Sequence, residues 1–164
     1  MVLLCCIIFG KFQSELSVSE ARAIITISKE LKTKGDGDCH NITPEVEQAV
    51  RDSGVRSGLV NIFIPGSTAA LTTLEFEEGV IKDLAGAMER LIPKNIPYQH
   101  DERWQDRNGY SHVRAALMGP SLTVPFVNGG LQLGRWQQIV LIDFDNRSRN
   151  RQYLINILGG DRHP

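Results

Sequence analysis

The stretch Leu122-Thr123-Val124-Pro125-Phe126-Val127-Asn128-Gly129-Gly130-Leu131-Gln132-Leu133 decides what kind of fold this chain adopts. Apolar runs flank Asn128-Gly129-Gly130, whose residues tolerate the positive φ of a tight turn, so an antiparallel hairpin is expected. Downstream, Trp136 to Phe144 and Tyr153 to Leu158 extend the same sheet. Upstream, Leu59 to Ile64 reads as a buried strand stopped by Pro65-Gly66, and Ala21 to Ile27 as another strand. From Ser67 to Glu75 threonines alternate with apolar residues, as on a strand with one wet face. Two main helices are expected. The first opens at Thr43-Pro44-Glu45, where a hydroxyl can cap, proline suits the first turn and the carboxylate opposes the dipole. Val46, Ala49 and Val50 supply its buried stripe and Ser53-Gly54 its end. The second spans Gly79 to Ile92, with Val80, Leu84, Met88 and Leu91/Ile92 at helical spacing. With no internal repeat or linker, the pattern predicts one α+β domain whose helices cover an antiparallel or mixed sheet.

Composition excludes several functions. A chain of 164 residues, 41% hydrophobic and 23% charged, is large enough for one proper core. A net charge of −1 argues against a nucleic-acid partner, since neutralising phosphates takes a basic surface. Cys5, Cys6 and Cys39 form no disulfide framework, which points to a reducing, cytoplasmic setting. The apolar run Val2 to Phe9 is shorter than the roughly 20 residues a membrane span needs, and it lacks a basic lead and a small-residue cleavage site. No membrane partner is expected, and residues 1–20 read as a strand, a buried appendage or a segment upstream of the true start. Asn146 to Arg151 reads as a solvated, basic connecting loop, and Cys39-His40 as structural.

The chemistry concentrates between Tyr98 and Gln138. Lys94 to Gly109 reads as a long polar connection, of a length usually functional or mobile. It carries His100-Asp101, and a short helix from Ser111 to Leu117 carries His112. Imidazoles beside a carboxylate suit a divalent metal, with His100 and His112 as ligands, or acid–base work near neutral pH. Against both stands a plainer reading, a half-buried His112 and a surface His100. Glu75, closing the threonine strand, could meet a metal or a cationic group, or serve as a helix-start charge. Ser67-Thr68 after Pro65-Gly66, and Ser121 after Gly119-Pro120, offer hydroxyls and turn N–H groups that can cradle phosphate, with Arg114 as the cation. Gln137 and Gln138 would point to opposite faces of a strand, placing one amide at a pocket wall or subunit contact. Neither a Walker loop nor a dinucleotide fingerprint nor a GxSxG elbow is present.

In order, Pro65 to Glu75, Tyr98-Gln99-His100-Asp101, Asn108 to Ala115, Gly119 to Phe126 and Leu133 to Ile139 resemble the YjbQ family, secondary thiamine-phosphate synthase-like proteins. The likeness covers about residues 21–159, leaving residues 1–20 as an extension and 160–164 as a tail. It implies a β-sandwich-like α+β core, a homotrimer with polar clefts between subunits, and the joining of a pyrimidine diphosphate to a thiazole phosphate with release of diphosphate. Carried onto this chain, it implies His100, Asp101, His112 and Glu75 as catalytic groups. Ser67, Thr68, Arg114, Ser121 and Gln137 are the expected contacts to a small phosphorylated molecule. The chain departs from the family pattern at Gln105 and Tyr110, where relatives often carry a histidine or other polar group, and at Gly66, Gly130 and Arg135. Losing such ligands keeps two other readings open, a non-catalytic metal- or anion-binding trimer and an inactive paralogue.

Overall fold

The computed structural model describes residues 24–162. In chain order the elements are β1 (Ile25–Thr33), β2 (Asp38–Asn41), α1 (Thr43–Asp52), β3 (Val55–Phe63), β4 (Ala69–Leu74) and α2 (Glu78–Leu91). They continue as α3 (Gln99–Trp104), α4 (Gly109–Met118), β5 (Ser121–Val127), β6 (Gly130–Leu131), β7 (Gln138–Asp143) and β8 (Arg149–Arg162). A five-stranded sheet ordered β1-β8-β3-β5-β6 faces a three-stranded sheet ordered β2-β7-β4, and the strand pairings throughout are antiparallel. The expected α+β, sandwich-like architecture is the one observed.

Alternation along the strands builds the layers. Val60 and Ile62 of β3, Val124 and Phe126 of β5, and Ile155 and Ile157 of β8 point inward and meet Leu71, Ile139 and Leu141 of the smaller sheet. Val46, Ala49 and Val50 of α1 close one end of this core. The smaller sheet is apolar on its other face as well, where Ala70, Val140, Ile142 and Phe144 pack under Met88 of α2 and Ala115 of α4. That double burial explains the almost continuous apolar run of β7. The outer face of the larger sheet is open to solvent.

The hairpin forms as its sequence demands, Asn128 and Gly129 taking φ of 51° and 76°. Several local expectations are corrected. Thr43 does not cap α1: its hydroxyl accepts the backbone N–H of Ile139 at 2.8 Å, tying the helix start to β7. Part of the long polar connection is α3, which ends where Gln105 adopts a left-handed conformation (φ 56°). β7 begins at Gln138, so Trp136 and Gln137 lie in the preceding turn rather than on the strand. The expectation for residues 1–20 falls outside the described residues.

Candidate functional site

The inward face of the sandwich turns polar at one end. Continuing the alternation of Ile139 and Leu141 puts Asp143 and Asp145 on the core side, and continuing that of Ile155 and Tyr153 puts Arg151 and Arg149 there. Both carboxylates are completely buried, so each needs a partner. Arg151 supplies one through a two-pronged pair, Nη2 to Asp143 Oδ1 at 2.6 Å and Nε to Asp143 Oδ2 at 2.7 Å. Arg149 Nε donates to Asp145 Oδ2 at 2.6 Å. Two threonine hydroxyls complete the network: Thr33 donates to Asp143 at 2.5 Å, and Thr68 donates to Asp145 at 3.1 Å while accepting from Arg151 at 2.7 Å. Burial pushes the Asp145 carboxyl up, but Arg149 outweighs it and leaves the group below the usual aspartate value. The basic stretch read as a solvated loop therefore holds two anchored arginines.

The anchoring leaves donors unused. Among the described residues, Arg149 makes no hydrogen bond through either Nη, nor Arg151 through Nη1, which sits beside the Gly66 turn. Both arginines line an open cavity of about 420 Å³ together with the Gly66-Ser67-Thr68 turn, Asn108, Asp106, Trp104, His100 and His112.

α3 and α4 deliver the histidines. Asp101 Oδ1 accepts the Gly109 N–H at 2.9 Å, and Gly109 lies against the Tyr98 side chain, leaving no room for a Cβ. With the two helices thus locked, the rings of His100 and His112 stack 4.2 Å apart at a tilt of 40°. His100 Nε2 lies 3.4 Å from Asp106 Oδ1. With its amide nitrogen turned toward them, Asn108 donates to Asp106 and to His100 Nε2 at 3.1–3.2 Å. Burial first, and the adjacent His100 second, hold the His112 imidazole below the usual histidine value.

The site residues expected from sequence divide into groups. His100, His112, Ser67 and Thr68 come together in the cavity, and Asp101 acts on its backbone. Glu75 and Gln137 lie elsewhere, in a shallow recess with Trp136, beyond the far end of β4 from Thr68. That separation is about 20 Å at roughly 3.3 Å per strand residue. Gln137 spends its amide on the Gly134 N–H and on Thr73. Arg114 is buried and bound to the Ile92 carbonyl and Glu89, so within one chain it does not reach the histidines. Ser121 is on the open face of the larger sheet, accepting from Asn61. Neither Gln105 nor Tyr110 lines the cavity; Tyr110 is buried between Arg114 and Lys94. Among the described residues no three His, Cys, Asp or Glu side chains converge as a metal's donor set. The metal expectation thus rests on two imidazoles, and an ion there would draw its other ligands from outside these residues. Asp143, Asp145, Arg149 and Arg151 were missed in the sequence, although the period-two pattern of their strands, carried one turn further, places them on the core face.

An antiparallel sandwich backed by helices, with an arginine- and histidine-lined cavity at one end, defines the class. The chain belongs to the YjbQ-like UPF0047 family, whose model matches residues 27–160. A UPF0047 protein of Archaeoglobus fulgidus is 38% identical over 128 residues, 78% of this chain and 97% of that protein. One from Methanothermobacter thermautotrophicus is 35% identical, covering 79% and 88%. A crystallised YbjQ-like protein of unknown function from Sulfolobus solfataricus superposes with a TM-score of 0.80 at 28% identity, covering 85% of this chain and all of that one. A Clostridium acetobutylicum member gives 0.73 at 36%, covering 80% and 98%.

Proposed function

We propose that the cavity at the polar end of the sandwich binds a small phosphorylated molecule, and that the protein is an enzyme of the thiamine-phosphate synthase type. One observation carries the reading: Arg149 and Arg151 are fixed by buried aspartates, leaving both Nη groups of Arg149 and Nη1 of Arg151 for an anion beside two contacting imidazoles. Preorganised donors aimed at a developing negative charge are what a departing diphosphate needs, because no reorganisation is required as the charge forms. In this reaction a bond between the two ring systems forms while the bond to diphosphate breaks. The guanidinium groups and the Ser67 turn would take the leaving group's charge. His100 or His112, protonated, would donate to its oxygens. Trp104, 62% exposed at the cavity wall, offers a flat face to a ring.

We further propose that the protein is a cytoplasmic homotrimer in which the Glu75, Gln137 and Trp136 recess of one protomer borders the histidine cavity of another. Leu59, Leu158 and Phe63, 49%, 39% and 36% exposed on the open sheet face, support self-association. Among the described residues no helix is long and apolar enough to cross a membrane.

Incubating the purified protein with the pyrimidine diphosphate and thiazole phosphate, with and without a divalent metal, tests the activity. Product should form at least about 100-fold faster than with the His100→Ala/His112→Ala double variant. Equal rates would sink the enzymatic reading. A metal requirement abolished in that variant would support an ion held by the histidines. Strong thermal stabilisation by phosphate or diphosphate without turnover favours the second reading, a non-catalytic anion binder. The unused Arg149 donors support that reading equally.

A further inference from the structure

We infer a second ligand site, on the opposite side of the smaller sheet, that takes a small apolar monocarboxylate. Among the residues of α2 only Met88 is buried, while Ile81 and Leu84 keep part of their surface because the helix stands away from the sheet beneath it. The space between is a cavity of about 300 Å³. Interiors are otherwise close-packed, and an empty apolar void forfeits the contacts its walls could make. The volume lies within the range of small-molecule pockets.

The walls are Ile81, Leu84 and Met88 from α2, Ile142 and Phe144 from the sheet, and Cys39. Burial pushes the Cys39 thiol up to about 11, so it stays neutral and behaves as one more apolar surface. The polar groups gather at the rim. Arg114, 3% exposed, binds the Ile92 carbonyl through Nε and Nη2 and Glu89 through Nη2. Its Nη1 makes no hydrogen bond among the described residues, though the residue lines the cavity. An N–H-rich guanidinium edge beside an apolar space calls for an acceptor, and a carboxylate is its natural complement. Lys94, ion-paired with Asp36 across the rim, supplies a second positive charge. Two cations and two carboxylates, Asp36 and Glu89, leave the rim with no net charge, so a singly charged carboxylate is less costly to seat there than a phosphate dianion. The site therefore takes a different class of molecule from the histidine cavity.

Calorimetry and thermal shift with phenylacetate and hexanoate test this, with phenethylamine and phenyl phosphate as controls. At least one of the two acids should bind and raise the melting temperature, with both controls at least about 10-fold weaker. Leu84→Trp or Ile81→Phe fills the cavity, so either variant should lose acid binding while melting at or above the wild-type temperature. Methyl signals of Ile81, Leu84, Met88 and Ile142 should shift on titration, and those nearest the histidines should not. No binding by either acid, equal affinity for the amine or the phosphate, or binding undiminished in the filled variants that fold would each overturn the site. If both filled variants unfold, the methyl shifts decide: their absence at these four residues overturns the proposal.

Discussion

Asp143 and Asp145 carry charge with no exposed surface, and the consequences of that show at single residues. Removing one partner of a buried pair leaves an uncompensated charge, which costs about 3–5 kcal/mol. Arg151→Met should therefore lower unfolding stability by roughly 3 kcal/mol in urea titration. The double variant Asp143→Asn/Arg151→Met should recover more than half of that, because it removes the stranded charge. No recovery would mean the pair contributes by packing alone. His112 makes a pH prediction. Its folded value lies below that of the unfolded chain, so near pH 6.5 and just below the unfolded state binds more protons. The stability it contributes is complete above about pH 6.5 and is lost as pH falls through the lower folded value. Melting temperatures followed from pH 7.5 to 5 should fall more steeply for the wild type than for His112→Gln. The carboxylates held low by their partners, Asp145 among them, act at lower pH and leave this window unaffected.

At the scale of elements, the approach of α3 to α4 sets the distance between the two imidazoles. A Cβ on Gly109 would lie 2.5 Å from Tyr98 Cβ and 3.2 Å from Asp101 Oδ1. Gly109→Ala should cost about 1–3 kcal/mol, the usual range for overpacking. It should also separate the imidazole rings, read as altered histidine ring resonances and a weaker response to phosphate. Unchanged histidine resonances alongside lost stability would show that the glycine serves packing only. The same region marks where local reading stopped. Tyr98 to Trp104 has too little apolar periodicity to announce α3, whose residues are all at least partly exposed. Thr43 carried a cap signal that tertiary structure redirected to the Ile139 N–H. β7 and the hairpin at Asn128-Gly129 were legible because a short continuous apolar run and turn chemistry are read within a few residues.

For the whole molecule, the proposed association rests on the open face of the larger sheet. Its Thr26, Asn156 and Asn61 side chains form a polar ladder across β1, β8 and β3, linked at 2.9 and 3.4 Å. Leu59 and Leu158 pair beside it. If this face joins copies, sedimentation should give about three times the 18.3 kDa chain mass, and Leu59→Glu should shift it toward monomer while the fold persists by circular dichroism. A monomeric wild type would remove the trimer and, with it, the meeting of Glu75 with the histidine cavity.

By itself the sequence determined the strand periodicity, the two main helices and the family, and it singled out His100, His112 and the Ser67-Thr68 turn. Each of these depends on residues close in the chain or on motifs in order. Only the tertiary structure decided that Asp143 and Asp145 would meet Arg149 and Arg151 across the sandwich, and that Arg114 would be buried against Glu89. The reason is physical: a strand pattern says which side chains share a face, but the charge opposite them comes from another sheet, placed by packing.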